Sequence, residues 1–444
     1  MELVEYFLKK KGIGIGDYVE ILLTNGLRIK GLVMPKHEFS KPDILIVKLE
    51  NGYNIGINVS KIVEIEKTQF SVKSRGITLR EEVKKREKMP RVLILGVGGT
   101  ILSKVDYVTG GVKSAVSVDE LLSILPEVAD IAEIETDIIM NKYSEHLTPD
   151  DWSIIARRVY SEIVKKKYSG IVILHGTDTL AYTAAALSFS LQQLPIPVVL
   201  VGSQRSSDRP SSDAALNLIS AIRVAAYSEI AEVVVALHSS TSDNLVSIHQ
   251  GTRVRKVHTS RRDAFQSIDV LPYMMVDYNG NMYTIRSDYR RRGERQPLLY
   301  PKFSRDAYLV KFYPGFNKNI LLYLLHEGAK AIILEGTGLG HVGEYLYETI
   351  RTLIKDGVRI YMTSQCIWGR VNMNVYDTGR ILKKMGVIQL DNMLSEVAYV
   401  KASWILGNFG ESELDTLMLS NIAGEITPKS PYLEYGESSY ERFI

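Results

Sequence analysis

Two short stretches set a hydroxyl side chain behind glycines. The first is Gly96-Val97-Gly98-Gly99-Thr100-Ile101, which follows the apolar run Val92–Leu95. The second is His175-Gly176-Thr177-Asp178, which follows Gly170–Leu174. Glycines carry no side chain to shield the hydroxyl beside them, so a substrate can come close. Thr100 or Thr177 can then act as a nucleophile, provided a base activates it and a third group orients the base. Asp178 brings a carboxylate next to Thr177. A helix starting there brings outward-pointing N–H groups that suit an oxyanion. The competing account of Asp178 and Thr179 is an ordinary helix cap, and local sequence alone favours it.

Two residue types could supply the base. His175, His238, His249 and His258 are of the usual kind. Lys256 lies in GTRVRKVHTSRRDAFQS (Gly251–Ser267) among Arg253, Arg255, Arg261 and Arg262. Surrounding like charges favour the neutral amine that a base requires, although the same composition describes a solvated basic face. No His-x-x-x-His or His-Glu-x-x-His spacing occurs, so metal chemistry has no support. A dinucleotide loop is disfavoured too. Counted from Gly96, the third glycine position is Ile101, and a long loop-like stretch follows where a helix should begin. The P-loop pattern is absent.

The elements that position these residues read as α/β. Residues 13–66 form short strands around two hairpin signals, Asn25-Gly26 and Asn51-Gly52, which suggests a small barrel of the SH3 or Sm-like type over 1–68. A charged linker, 69–90, follows. From Arg91 the apolar strands Arg91–Gly96, Gly170–Gly176, Ile196–Gly202 and Glu232–His238 alternate with helical stretches at Ser117–Ile131, Thr148–Lys167 and Asp178–Leu194. This predicts a parallel sheet covered on both faces over 91–289. Ser117 with Glu120, and Thr148 with Asp151, are expected helix caps. The basic, polar segment 290–305 reads as a linker. A second α/β unit over 306–444 has strands at Asp306–Gly315, Lys330–Gly338 and Val358–Gln365, and a tail past Thr427 that is expected to be loosely held. Such strands deliver Thr100 and Thr177 to the carboxyl edge of the sheet, where open α/β sheets place their ligands.

Bulk properties narrow the function classes. The 54 basic and 51 acidic residues leave a net charge of only +3, so the whole molecule is not marked as a nucleic-acid binder. Cys366 is the only cysteine, which rules out an intramolecular disulfide and Cys-cluster zinc and fits a cytoplasmic location. No signal peptide and no membrane span are expected.

Several stretches together resemble the L-asparaginase and glutaminase family: VGGTI (Val97–Ile101), LHGTDTLAYTAAALS (Leu174–Ser188), VGSQRSSDRPSSDAALNL (Val201–Leu218) and Gly251–Ser267. EGTGLGHV (Glu335–Val342), SQCIWGRVNMNVYDTGR (Ser364–Arg380) and the small N-terminal domain are similar to the GatD branch of that family, found in archaeal glutamyl-tRNA(Gln) amidotransferases. The resemblance covers the whole chain. It implies an asparaginase-like fold of two α/β domains behind the small barrel.

It also implies a glutaminase in which Thr100 forms an acyl-enzyme and ammonia is released. Thr177, Asp178 and Lys256 form a second constellation, with Asp178 holding Lys256 and the Thr177 amide binding the oxyanion. Ser144 and Glu145 bind the α-carboxylate and α-amino groups of the substrate, with Asp178 sharing the ammonium. Tyr107, on the loop after the nucleophile, closes the site. The chain departs from the family at Val97, where Thr is common, and at Leu339, where a neighbouring protomer contributes an Asn. His341, Asn372 or Asn374 are the candidates to replace that Asn.

The resemblance implies no cofactor on this chain. A GatE-like partner uses ATP and Mg and converts Glu-tRNA(Gln) to Gln-tRNA(Gln) with the ammonia. The tRNA is held mainly by that partner, and this chain is a homodimer within a heterotetramer. Two alternatives compete: a free-standing L-asparaginase, and an RNA-binding module with a decayed enzyme domain, suggested by the barrel and the basic segments.

Overall fold

The computed structural model describes residues 3–34, 41–49, 54–68, 89–99, 103–105, 112–114, 126–206 and 212–430. Helix α1 (Leu3–Lys10) precedes five antiparallel strands: β1 (Tyr18–Leu23), β2 (Arg28–Val33), β3 (Ile44–Leu49), β4 (Asn54–Asn58) and β5 (Ile62–Lys67). They lie in the order β4-β3-β2-β1-β5. Alternation along the strands sends Val19, Ile21, Val33, Leu45, Val47, Ile57 and Ile65 to one inner face, where Val4 and Leu8 of α1 join them. Gly26, at φ +82°, makes the expected tight turn between β1 and β2. The second hairpin signal, Asn51-Gly52, and most of the charged linker lie outside the described residues.

The main sheet has eight strands. β6 (Arg91–Gly96), β9 (Glu133–Ile138), β10 (Gly170–Leu174), β12 (Val198–Val201) and β13 (Val233–His238) run parallel. β14 (Leu245–Gln250), β17 (Met274–Asp277) and β18 (Met282–Thr284) add to its edge antiparallel. The order is β18-β17-β14-β13-β12-β10-β6-β9. The parallel part is the sheet the apolar runs predict. Its antiparallel edge differs from that expectation and has a simple cause. Only residues 239–244 separate β13 from β14, and a parallel return needs a crossover of about a dozen residues or more.

Helices cover both faces. Helix α2 (Pro149–Val164) and α3 (Leu180–Ser190) pack on one, and α4 (Ala214–Tyr227) on the other. The α2 start obeys its sequence signal: the Asp151 carboxylate accepts from the Thr148 amide at 2.8 Å, which satisfies a free N–H of the first turn. Ser117 and Glu120, the other expected cap, lie outside the described residues, and the described part of that stretch is a 3-10 turn, Pro126–Asp130.

Short two-stranded ribbons complete the domain. β7 (Ser103–Val105) pairs with β8 (Val112–Ser114) in the loop after Thr100. β11 (Leu191–Gln192) pairs with β19 (Leu298–Leu299), and β15 (Val254–Lys256) with β16 (Phe265–Ser267). The β11–β19 pairing changes the picture of residues 290–305. The segment is a fastened strap, because Arg292 also donates to the carbonyls of Ser169, Ala225 and Ser228.

The second sheet is parallel, in the order β20 (Ala307–Lys311), β21 (Ala331–Gly336), β22 (Arg359–Ser364), β23 (Ile388–Gln389). Helices α5 (Asn319–His326), α6 (Tyr347–Lys355) and α7 (Asp377–Met385) enclose one core. On the other side α8 (Ser395–Asn408) and α9 (Leu414–Leu419) share a core with α3, where Phe189 stacks on Trp404 at 5.5 Å. One apolar seam thus joins the two α/β units. Residues 421–427 are held firmly, and the tail past Thr427 that is expected to be loose lies, beyond residue 430, outside the described residues. The carboxylate of Glu425 meets Lys401 Nζ at 2.5 Å, and both side chains are fully buried. Among the described residues no helix is long and apolar enough to cross a membrane.

Candidate active site

The site forms where β6 and β10 end side by side. Val97 donates to the Leu174 carbonyl at 2.9 Å, so the two glycine loops leave the sheet together. Gly98 and Gly99 both have positive φ, +129° and +94°. A Cβ on Gly99 would lie 2.3 Å from the Gly176 Cα, and one on Gly98 would lie 2.2 Å from the Lys142 carbonyl oxygen. These glycines therefore allow backbone to lie on backbone. Thr100 and Tyr107 themselves lie outside the described residues.

Gly176 touches the next predicted pair. A Cβ there would meet the Ser144 side chain at 2.8 Å. Ser144 is buried, and its carbonyl accepts from Thr179 Oγ1 at 2.7 Å; Glu145 is exposed beside it. This contact also settles the competing account of the helix start. Thr179 stands at the N-cap of α3 but makes no side-chain cap bond, and its hydroxyl serves Ser144 instead.

Lys256 comes from far along the chain. Its Nζ donates to Thr177 Oγ1 at 2.9 Å and to Asp178 Oδ1 at 2.7 Å. Thr177 is buried, Lys256 nearly so, and Asp178 opens to solvent. Thr177, Asp178 and Lys256 are thus in mutual contact, as the family resemblance implies. The arginines near Lys256 do not act as a field of like charge, because each has its own carboxylate. Arg253 faces Asp269, Arg255 faces Glu396, Arg261 faces Asp263 and Arg262 faces Asp243. Nor is the start of this stretch a solvated basic face: Arg253 is fully buried, and burial pushes its pKa down to about 10.

The histidines are placed elsewhere. His175 Nδ1 donates to the Gly176 carbonyl at 2.7 Å, and complete burial pushes the ring down to about 4. His249 contacts Ser267 Oγ and is pushed down to about 3 by burial. His238 lies between Asn217 and Asp243, and His258 Nδ1 accepts from the amides of Ser260 and Arg261. None of the four contacts Thr177. His341 meets Thr378, and the Asn372 amide donates to the Leu339 carbonyl; among the described residues neither they nor Asn374 touch the Thr177–Asp178–Lys256 group.

Sequence reasoning missed what braces Thr177 from behind. A Cβ on Gly202 would stand 3.0 Å from Thr177 Cγ2, and the Gly202 carbonyl accepts from Asn217 Nδ2 at 3.0 Å. Asn217 also donates to Asp213 Oδ2 at 3.1 Å. The signal was the Asp213/Asn217 spacing of four at a helix start, which places both side chains on one face. Among the described residues no group of three His, Cys, Asp or Glu could hold a metal ion. A cavity of about 460 Å³ lies at the other end of the sheet, beside Glu232, Arg286 and residues 421–428, away from this group.

Fold and contacts together define a class. Residues 91–289 match the Asparaginase, N-terminal family model, and residues 307–417 match the Glutaminase/Asparaginase C-terminal domain. The thermostable L-asparaginase from Thermococcus kodakarensis is similar at a TM-score of 0.68 and 34% identity, covering 76% of this chain and 100% of that one. L-asparaginase I from Vibrio cholerae gives 0.67 and 28%, covering 76% and 99%. These two domains are of the asparaginase and glutaminase type.

Outside them, residues 13–68 match the GatD N-terminal domain. Over 429 residues the chain is 47% identical to the glutamyl-tRNA(Gln) amidotransferase GatD protein of Pyrococcus furiosus, covering 96% of this chain and 98% of that protein. Over 423 residues it is 46% identical to its counterpart in Sulfolobus acidocaldarius, covering 95% and 93%. The chain belongs to the GatD family of glutamyl-tRNA(Gln) amidotransferases.

Proposed function

We propose that this chain is the glutaminase component of a tRNA-dependent amidotransferase. It hydrolyses glutamine and passes the ammonia to a GatE-like partner, which uses ATP and Mg to convert Glu-tRNA(Gln) to Gln-tRNA(Gln). The observation that carries this reading is the contact of Lys256 with both Thr177 and Asp178, in a chain that matches GatD proteins over nearly its whole length.

Thr100 Oγ attacks the side-chain amide carbon of glutamine. The C–O bond forms, the carbonyl π electrons move to oxygen, and the Thr177 amide N–H stabilises that oxyanion. Collapse expels the nitrogen, which takes up the hydroxyl proton and leaves as ammonia. Water then attacks the ester, giving glutamate and free Thr100. Lys256, held by Asp178 and bonded to the Thr177 hydroxyl, can pass a proton along the pair. Ser144, braced against Gly176, and Glu145 beside it hold the amino-acid head of glutamine, and Asp178 has the exposure to share its ammonium. Tyr107 closes the site from the loop that holds β7 and β8, excluding water during acylation.

Beside the two asparaginases the chain has an additional domain at residues 13–68, which favours the amidotransferase over a free-standing asparaginase. The partner, tRNA contacts mainly on the partner, and a homodimer within a heterotetramer belong to the same proposal. The test is ammonia release from glutamine and from asparagine by the purified chain, with and without partner and Glu-tRNA(Gln). Glutamine-dependent formation of Gln-tRNA(Gln) in the reconstituted system is expected. Strong asparagine hydrolysis without partner would refute the assignment. Loss of activity in Lys256→Ala with folding intact distinguishes a live enzyme from an RNA-binding module with a decayed site.

A further inference from the structure

The ribbon that carries Lys256 is small. β15 is three residues long and pairs only with the three of β16. A two-stranded ribbon of this size has little stability of its own. Something else must keep Lys256 Nζ within 2.9 Å of Thr177 Oγ1.

Strand alternation shows what does. Successive side chains of a strand point to opposite faces. Val254 points into the core shared with Leu180 and Ala184 of α3, and Lys256, two residues on, points to the same side at Thr177 and Asp178. Arg253 and Arg255 point the other way, towards the C-terminal unit. Arg253 Nη1 donates to the carbonyls of Asn392 and Glu425, at 2.7 and 3.1 Å. Arg255 Nε lies 2.8 Å from Glu396 Oε1. Glu396 sits in the first turn of α8, where the helix dipole favours an anion.

The surroundings of Glu396 make this pair exacting. The carboxyl is almost wholly buried, and burial raises its pKa, with Glu335 adding to the rise and Arg255 the foremost group opposing it. Its second oxygen, Oε2, is buried with no partner. Arg255 is thus the principal cation that faces Glu396. Lys311, the other cation near it, is engaged with Glu335 at 3.3 Å.

We propose that Arg255 and Glu396 are positioning residues for Lys256: the C-terminal unit grips the back of β15 through this ion pair and so holds the lysine amine on Thr177 and Asp178. The proposal rests on the active-site reading above. Its consequence is that the catalytic lysine is in place only when the two α/β units are closed on each other. Arg255 touches no reacting atom, so its loss acts on turnover while glutamine binding, which uses Ser144 and Glu145, is spared.

The test uses the full-length chain, with its partner protein where one co-purifies, and reads kcat and KM for glutamine separately. Arg255→Gln and Glu396→Ala are each expected to lower kcat at least tenfold with KM within twofold. The double variant should be no worse than the worse single one, since both break the same link. Arg255→Lys, which keeps a cation, is expected to recover part of kcat. Wild-type kcat in Arg255→Gln, or a loss expressed wholly in KM, overturns the proposal. If Arg255→Gln does not fold, Glu396→Asp, which withdraws the carboxylate by one methylene, is measured instead, and wild-type kcat there overturns it equally. Lys256→Ala runs alongside. Activity retained in that variant defeats the active-site reading itself, whereas its loss beside an unaffected Arg255→Gln defeats only the positioning.

Discussion

Gly99→Ala subjects the crossing of the two glycine loops to a direct measurement. Two penalties act at once. Gly99 has φ +94°, and an L-residue held in left-handed backbone loses roughly 1–2 kcal/mol. The added Cβ would also lie 2.3 Å from the Gly176 Cα and nitrogen, where ordinary contact begins at 3.4 Å, so the loops must separate by about 1.1 Å. Both neighbours are backbone and cannot swing aside as a side chain would. Gly99 directly precedes Thr100, and Gly176 directly precedes Thr177, so the separation falls between the proposed nucleophile and the hydroxyl that Lys256 touches. A misplacement of about 1 Å at a reacting centre costs on the order of a hundredfold in rate. The expected result is a kcat for glutamine hydrolysis about a hundredfold below wild type, followed as ammonia release in a coupled assay. The melting temperature should fall by only a few degrees, in line with roughly 1–2 kcal/mol in a unit of about 200 residues. A variant that melts like wild type and turns over within threefold of it would show that the two loops do not set the reacting distance.

Three further outcomes can be measured. Lys256→Ala should lower kcat by about 10²–10⁴, the usual worth of a positioned proton-transfer group, and Asp178→Asn should also slow turnover because it withdraws the charge that holds the amine. His249 sets a pH dependence of folding: the unfolded ring takes up its proton near 6.5 and the buried one only near 3. The contribution of this ring is therefore undiminished above 6.5 and falls at about 1.4 kcal/mol per pH unit below it, beside a like one from His175; His249→Gln should make the fall of urea-derived stability between pH 6.5 and 5 shallower, and parallel curves for the two proteins would contradict the assignment. Lys401→Met leaves the buried Glu425 without its cation, so a loss of about 3–5 kcal/mol is expected by chemical denaturation, with most of it recovered in Lys401→Met/Glu425→Gln.

Local rules made much of the architecture legible. Asn25-Gly26 announces a hairpin, Thr148 and Asp151 announce a helix start, and the fully apolar runs at Val92, Ile171, Val198 and Val233 announce buried parallel strands. Each of these features acts over a few residues, which is why a linear reading finds it. The antiparallel edge β14-β17-β18 was not legible, because it depends on how a short connection folds back and not on the composition of the strands. Arg253 and Arg255 were obscured for a different reason. A run of basic residues reads as solvated surface unless its partners are known, and Asn392, Glu396 and Glu425 lie some 140 to 170 residues further on. Lys256 shows the same limit at the site. Its pairing with Thr177 and Asp178, 79 and 78 residues away, followed from the resemblance to a family and from no spacing rule.

The Lys401–Glu425 pair bears on the order in which the chain can fold as it is made. Synthesis runs from the N-terminus, so Lys401 emerges before the carboxylate that neutralises it. Until Glu425 and the carbonyls of Met418 and Ser420 follow, α8 cannot seat its lysine in the core without burying an uncompensated charge. Helix α3, which stacks Phe189 on Trp404 of α8, waits for the same event. The first α/β unit is therefore finished only late in translation, when residues beyond 420 have arrived to close a seam opened more than two hundred residues earlier.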